Sequence, residues 1–163
     1  MSGIITATHP ANAVSAQVDV RGPRFVAWVT TVVLVATLLT STSSAVVAAT
    51  ILSLQTVVFA IGAALGPRRH PYGLVFATLI APRLGPVTER EPAAPLKFAQ
   101  LVGFLFAAVG VVGLFSGLSL LGLVATGLAL VAALLNAAFG ICLGCQLYPL
   151  VARHRLTRRA STT

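Results

Sequence analysis

Carboxylates are almost missing from this chain: Asp19, Glu89 and Glu91 stand against eleven lysines and arginines in 163 residues. Charge of either sign is absent from Phe25 to Leu65 and again from Phe98 to Ala152, and no histidine lies in either run. A proton or ion pathway through these runs would therefore lack its usual carriers. Charged residues make up 9% of the sequence and apolar ones 57%, with a mean hydropathy of +0.96. A soluble domain of this length has no interior large enough for that apolar surface, so lipid is its solvent. A net charge of +8 would suit nucleic acid, but the cations flank the apolar runs instead of forming a phosphate-binding face, and nucleic acid is excluded as a partner.

The two uncharged runs set the architecture. The first is 41 residues long. As one helix it would measure about 60 Å, twice the ~30 Å hydrocarbon core. Two helices joined at Thr40–Ser44 fit. The second run, 55 residues, is divided by Ser116–Gly117–Leu118–Ser119. The expected fold is an all-α integral membrane protein with four transmembrane helices in two hairpins. The spans are about 25–40, 45–65, 98–115 and 120–141. A flexible tail precedes them (1–20), a connection links the hairpins (66–97), and a basic tail follows (153–163). Arg21 and Arg24 before the first run resemble the start of a signal peptide. However, some twenty near-neutral residues precede them and a second apolar run follows at once, so residues 25–39 read as a retained span.

Orientation follows from the cations. Arg21 and Arg24, then Arg68, Arg69, Arg83, Arg90 and Lys97, then Arg153, Arg155, Arg158 and Arg159 occupy three segments that an even number of spans puts on one side. The positive-inside rule makes that side cytoplasmic, with both termini inside the cell membrane. The connection carries six prolines, at 67, 71, 82, 86, 92 and 95, which rule out one long helix. Within it Tyr72–Ala81 is apolar but too short to span, and reads as an interfacial or re-entrant segment. It is expected to cover the inner end of the fourth span and bring His70 and Tyr72 near the cysteines.

The hairpins resemble each other. Pro23–Arg24–Phe25 matches Leu96–Lys97–Phe98, and Gly62–Ala63–Ala64–Leu65–Gly66 matches Gly140–Ile141–Cys142–Leu143–Gly144 with one insertion. This is either a parallel internal repeat or the chance likeness of two apolar segments. Small residues recur at four-residue spacing (Gly62/Gly66, Gly113/Gly117, Ala125/Ala129/Ala133/Ala137, Gly140/Gly144), as close helix packing in lipid requires. Gln55, Gln100 and Asn136 are expected to hydrogen-bond neighbouring helices.

The only cysteines, Cys142 and Cys145, sit three apart at the inner edge of the fourth span. Residues three apart on a helix share a face, so the pair suits a redox or sulfur-handling dithiol. Closing a helix would place it where the dipole opposes a thiolate, unless Gly140 and Gly144 start a new turn there. Metal is a second reading: two thiolates suffice for Cu(I), and His70 with His154 would complete a zinc set, though with irregular spacing. Haem attachment is excluded because Gln146 follows the second cysteine. Packing is the remaining reading, with Ala64 at the place of Cys142 in the other hairpin. No cofactor is expected. Arg68, Arg69, His70, Tyr72 and Tyr148 are the accessory or partner-facing candidates.

Read together, VDVRGPRFVAWVT (18–30), LGPRRHPYGLVF (65–76), PRLGP (82–86), KFAQLVG (97–103) and LLNAAFGICLGCQLY (134–148) resemble the bacterial integral-membrane family known as domain of unknown function 4395. Its C-L-G-C-x-x-Y signature is intact as Cys142, Leu143, Gly144, Cys145 and Tyr148. The resemblance implies a four-span cell-membrane protein without an assigned activity, and a cytosolic thioredoxin-like or rhodanese-type partner. It thereby favours a thiol-redox or sulfur-handling protein over a non-catalytic membrane subunit whose cysteines are structural. Substrate and oligomeric state stay open.

Overall fold

The computed structural model describes residues 17–87 and 89–149. Of the flexible tail expected at 1–20, residues 1–16 lie outside the described residues, as does the basic segment 153–163 with His154 and its four arginines, while residues 17–19 are not a free tail but form a paired strand. A short strand β1 (Gln17–Asp19) leads into α1 (Arg21–Ser41) and α2 (Ala45–Leu65). The connection holds a 3₁₀ turn at Pro67–Arg69, a short α3 (Pro71–Val75), a π turn at Phe76–Ile80 and a 3₁₀ turn at Ala81–Arg83. Strand β2 (Arg90–Pro92) then precedes α4 (Ala93–Phe115) and α5 (Ser119–Phe139). The four long helices are each apolar and long enough to cross a membrane, so the expected membrane fold holds. The first and third begin about four residues earlier than expected, because their first turns carry the flanking cations Arg21, Arg24 and Lys97.

Why these residues form helices in lipid is visible in their polar side chains. The hydroxyls of Thr31, Thr37, Thr50, Ser53, Thr56 and Thr126 each donate to the carbonyl four residues earlier, at 2.7–2.9 Å. These six hydroxyls are thereby satisfied without solvent. Ser44 accepts from the Val47 N–H and caps the start of α2, while Gly117, at φ +78°, turns α4 into α5.

The helices pack as a ring in which α1 meets α2, α2 meets α4, α4 meets α5 and α5 meets α1. Exchanging the two hairpins returns the same set of neighbours, as a twofold along the membrane normal requires. The core joins Leu34, Ala48, Leu52, Phe59, Ala107 and Ala129. Close approach is supplied by glycine: a Cβ on Gly113 would stand 2.6 Å from the Gly122 nitrogen. Gly117 serves the turn, with open space around it, and is not a packing residue.

β1 pairs antiparallel with β2, Val18 opposite Glu91. This ribbon, absent from the sequence reading, ties the entry of α1 to the entry of α4. With α3 packed on α1 and α2, it gathers every described cation at one end of the bundle. The connection thus seals the α1–α2 end and does not chiefly cover the fourth span as expected. Phe76 is buried against Phe25, ring centroids 5.8 Å apart, while Leu74, Val75 and Leu79 face outward.

Candidate functional site

The fourth span ends at Phe139, two residues before the expected limit. Gly140 adopts φ +69°, its N–H donates to the Asn136 carbonyl at 3.0 Å, and Ile141 donates to Leu135 at 3.2 Å. A left-handed turn of this kind is open to glycine and stops the helix there. Residues 143–149 then form a new helical segment. The cysteine pair therefore opens a helix and does not close one.

This boundary also corrects the repeat. Glycine ends both second helices, Gly66 after α2 and Gly140 after α5. α2 and α5 are displaced by 74 residues at both ends (45 to 119, 65 to 139). The five-residue insertion shrinks to one, since Phe25 and Phe98 are offset by 73 residues, and Gly140 corresponds to Gly66 instead of Gly62. Cys142 is thereby moved off Ala64, which removes the one repeat-based support for the packing reading.

Cys142 caps the new segment. Its carbonyl accepts from the Gln146 N–H at 3.1 Å, and its Sγ accepts from the Cys145 N–H at 3.3 Å. The Cys145 thiol faces Cys142 Sγ, the two sulfurs in contact and free. Both residues are half-buried. These contacts favour a thiolate on Cys142 and set its pKa at about 7, the Cys145 hydrogen bond outweighing burial and the nearby Glu91 carboxylate. The Cys145 thiol is pushed well above the ordinary range by the same hydrogen bond, by burial and by the adjacent Cys142 charge. The pair's negative charge thus sits on Cys142 in preference to Cys145.

A direct test follows. Alkylation of Cys142 should rise with pH through a midpoint at about 7, with Cys145 lagging. Cys145→Ala removes the principal hydrogen bond, and the midpoint should then move up toward the unperturbed ~8.5. An unmoved midpoint would show that Cys145 does not tune its neighbour.

The rest of the site positions this pair. Gly144 is buried against α4, where a Cβ would lie 2.6 Å from both the Cα and the Cβ of Ala99. Tyr148 meets Phe98 edge-on at 6.1 Å and pins the far end of the segment to the same helix. Arg24 lies across Gly140, its guanidinium 2.8 Å from where a Cβ would stand.

The other candidates divide. Arg68 and Arg69 are exposed, and Arg68 donates to the Gln17 carbonyl at 3.4 Å. His70, in contrast, is only 1% exposed and is not partner-facing. Its ring packs against Gly62, edge-on to Tyr72 at 5.4 Å, and neither nitrogen has a partner. Burial depresses its pKa to about 4, so it is neutral at physiological pH. Tyr72 donates to Gln55 Oε1 at 2.8 Å, so Gln55 bonds to the connection and not to a neighbouring helix. Gln100 Oε1 is buried without a partner, and no side-chain bond is formed by Asn136 among the described residues. His70 and Cys142 do line one cavity, although His70 reaches it from beneath the connection. Among the described residues no three His, Cys, Asp or Glu side chains converge. Sequence reasoning missed Glu91, whose short strand gave no periodic signal, and Thr30, whose buried, unpartnered hydroxyl nothing in sequence separates from its bonded neighbours.

A family model described as Domain of unknown function (DUF4395) matches residues 18–153. No curated protein and no solved structure matches the chain.

Proposed function

The chain belongs to the family described as domain of unknown function 4395, and from the geometry of its thiols we propose that it is a membrane-embedded dithiol protein exchanging electrons or sulfane sulfur with a cytosolic partner. The observation that carries this reading is the juxtaposition of Cys142 and Cys145 on the first turn of a new helical segment, their sulfurs within bonding reach of one another and Cys142 Sγ accepting from the Cys145 N–H. The site lies at the cation-rich end of the bundle, which the positive-inside rule assigns to the cytoplasmic face of the cell membrane, with both termini on that side. The partner expected there is a thioredoxin-like or rhodanese-type protein.

In the exchange step the Cys142 thiolate attacks one sulfur of the partner's disulfide. The partner's bond breaks, its second sulfur leaves as a thiolate and takes up a proton, and a mixed disulfide forms. Cys145 then loses its proton and attacks Cys142 Sγ. The second partner thiol is released, leaving a Cys142–Cys145 disulfide: the membrane protein is oxidised and the partner reduced, and the reverse sequence undoes both. With a persulfide as donor, Cys142 instead takes the terminal sulfur and the donor departs as a thiol.

Cys145→Ser stalls the sequence at the mixed disulfide. In native membranes it should accumulate a Cys142-linked adduct with a cytosolic thioredoxin-like or rhodanese-type protein, which Cys142→Ser should not form. An impermeant maleimide should reach Cys142 in inverted vesicles and not in intact cells. If both thiols resist alkylation until the membrane is dissolved, and the double alanine variant behaves as wild type, the cysteines are packing residues and the proposal fails.

A further inference from the structure

The ring of helices leaves a cavity of about 670 Å³ at the cysteine end, walled by α1, α4, α5, the connection and the 143–149 segment. That volume falls within the ~300–1,000 Å³ usual for small-molecule sites. The wall is mostly apolar, with Phe59, Phe76 and Phe106 among its side chains. Three polar side chains in it hold buried atoms without a well-formed hydrogen bond: Thr30 Oγ1, both ring nitrogens of His70, and Gln100 Oε1, the last two side chains lying within reach of each other beside Gly62 while Thr30 has no such neighbour. Thr30 is 3% exposed and His70 1%. Thr30 stands out because Thr31, Thr37 and Thr126 all bond the preceding helical turn. Buried polar atoms without partners are costly, and several converging on one apolar cavity mark it as built for a ligand with polar edges.

The ligand's chemistry can be read from the wall. It is apolar over most of its surface. Its polar atoms accept from the Thr30 hydroxyl and the one N–H of a neutral imidazole, or donate to Gln100 Oε1 and the bare imidazole nitrogen. The wall's charged side chains are only Asp19 and Arg68, too few to hold the phosphates of a nucleotide. Cys142 belongs to the same wall. We propose that this cavity binds a lipid-soluble quinone and that Cys142 and Cys145 pass two electrons to it, an inference resting on the dithiol reading above. The two S–H bonds break and an S–S bond forms. The electron pair enters the quinone ring and the two thiol protons end on its two oxygens, giving one disulfide and one hydroquinone. The carbonyls of the quinone suit the donors in the wall, and the hydroxyls of the hydroquinone suit its acceptors.

The test uses the full-length protein in nanodiscs, reduced, without oxygen, with a benzoquinone bearing a decyl tail. One hydroquinone should form per Cys142–Cys145 disulfide, and the quinone should raise the melting temperature of the Cys142→Ala/Cys145→Ala variant, which binds without reacting. Ala132→Phe, which fills the cavity, should abolish both effects. Thr30→Val, nearly isosteric and safe for folding, should weaken binding by about three- to tenfold, the worth of one neutral hydrogen bond. If quinone is neither bound nor reduced while the dithiol still cycles with a soluble disulfide, or if lipid alone protects as well, the quinone assignment falls and the dithiol reading stands. Quinone reduction at full rate in both Ala132→Phe and Thr30→Val would equally overturn the cavity as its site. A dithiol inert to quinone and soluble disulfide alike would overturn both proposals.

Discussion

Replacing Gly144 with valine should cut the thiolate population at pH 7 more than tenfold while the four long helices stay inserted. A Cβ at this position would stand 2.6 Å from the Ala99 backbone, which cannot rotate aside as a side chain could. Residues 143–149 must then lift from α4. A helical segment that short does not persist alone in water. Its loss removes the N–H and S–H groups of Cys145 from Cys142 Sγ. With those contacts the Cys142 pKa is about 7, so about half the residue is thiolate at that pH. At an ordinary pKa of ~8.5 the fraction is roughly 3%. Thiolate absorbance, titrated for wild-type and Gly144→Val chains with Cys145 in place, reads this directly. Gly127→Val is the control, since nothing lies within 4 Å of a Cβ there. A titration unchanged by Gly144→Val would mean that docking on α4 does not shape the thiol.

Acid should destabilise the protein between about pH 6.5 and 4 through His70. Its folded pKa is about 4, below the ordinary 6.5, because burial opposes the charged ring. In that window the unfolded chain binds a proton that the folded one does not, so stability falls as pH falls. Above 6.5 the contribution is complete and flat, and below 4 it is lost. The loss is at most about 3 kcal/mol. Asp19 does not confuse the reading, because Arg21 holds its carboxyl below its usual 3.8, under the window. Unfolding midpoints at pH 7 and 4.5 should differ for wild type and much less for His70→Phe. Equal acid sensitivity in the two would show that His70 is protonated without cost where it stands.

Much of this architecture is legible from composition, and the reasons are physical. Lipid imposes one rule on every span, so uncharged length and the placement of cations suffice to count helices and set their order. The candidate site is legible only as an address. Whether Cys142 closes or opens a helix depends on the backbone angle of Gly140, and nothing in the run ALLNAAFGICLGC marks that glycine over Gly144 as the terminator. The two differ by what stands beside them: open turn geometry at one, the Ala99 backbone at the other. His70 is hidden for a similar reason. A histidine between arginine and proline reads as a surface residue until Gly62 is seen to leave room for its ring. The ribbon of β1 and β2 is three residues a side, too short for any period to appear.

That ribbon also sets a schedule for biosynthesis. Gln17 pairs with Pro92, so the first strand waits for the chain between them to be made. At ~5–20 residues per second the delay is roughly 4 to 15 s. During it the first hairpin can enter the bilayer, but its cation-rich end has no clasp, and His70 has no Gln100 to lie against. The nascent chain therefore passes through a stage in which half the bundle is inserted and the chamber beside the thiols is open on two sides. Closure comes only as the second hairpin arrives, and the segment that carries the cysteines is made after all four long helices beside the chamber.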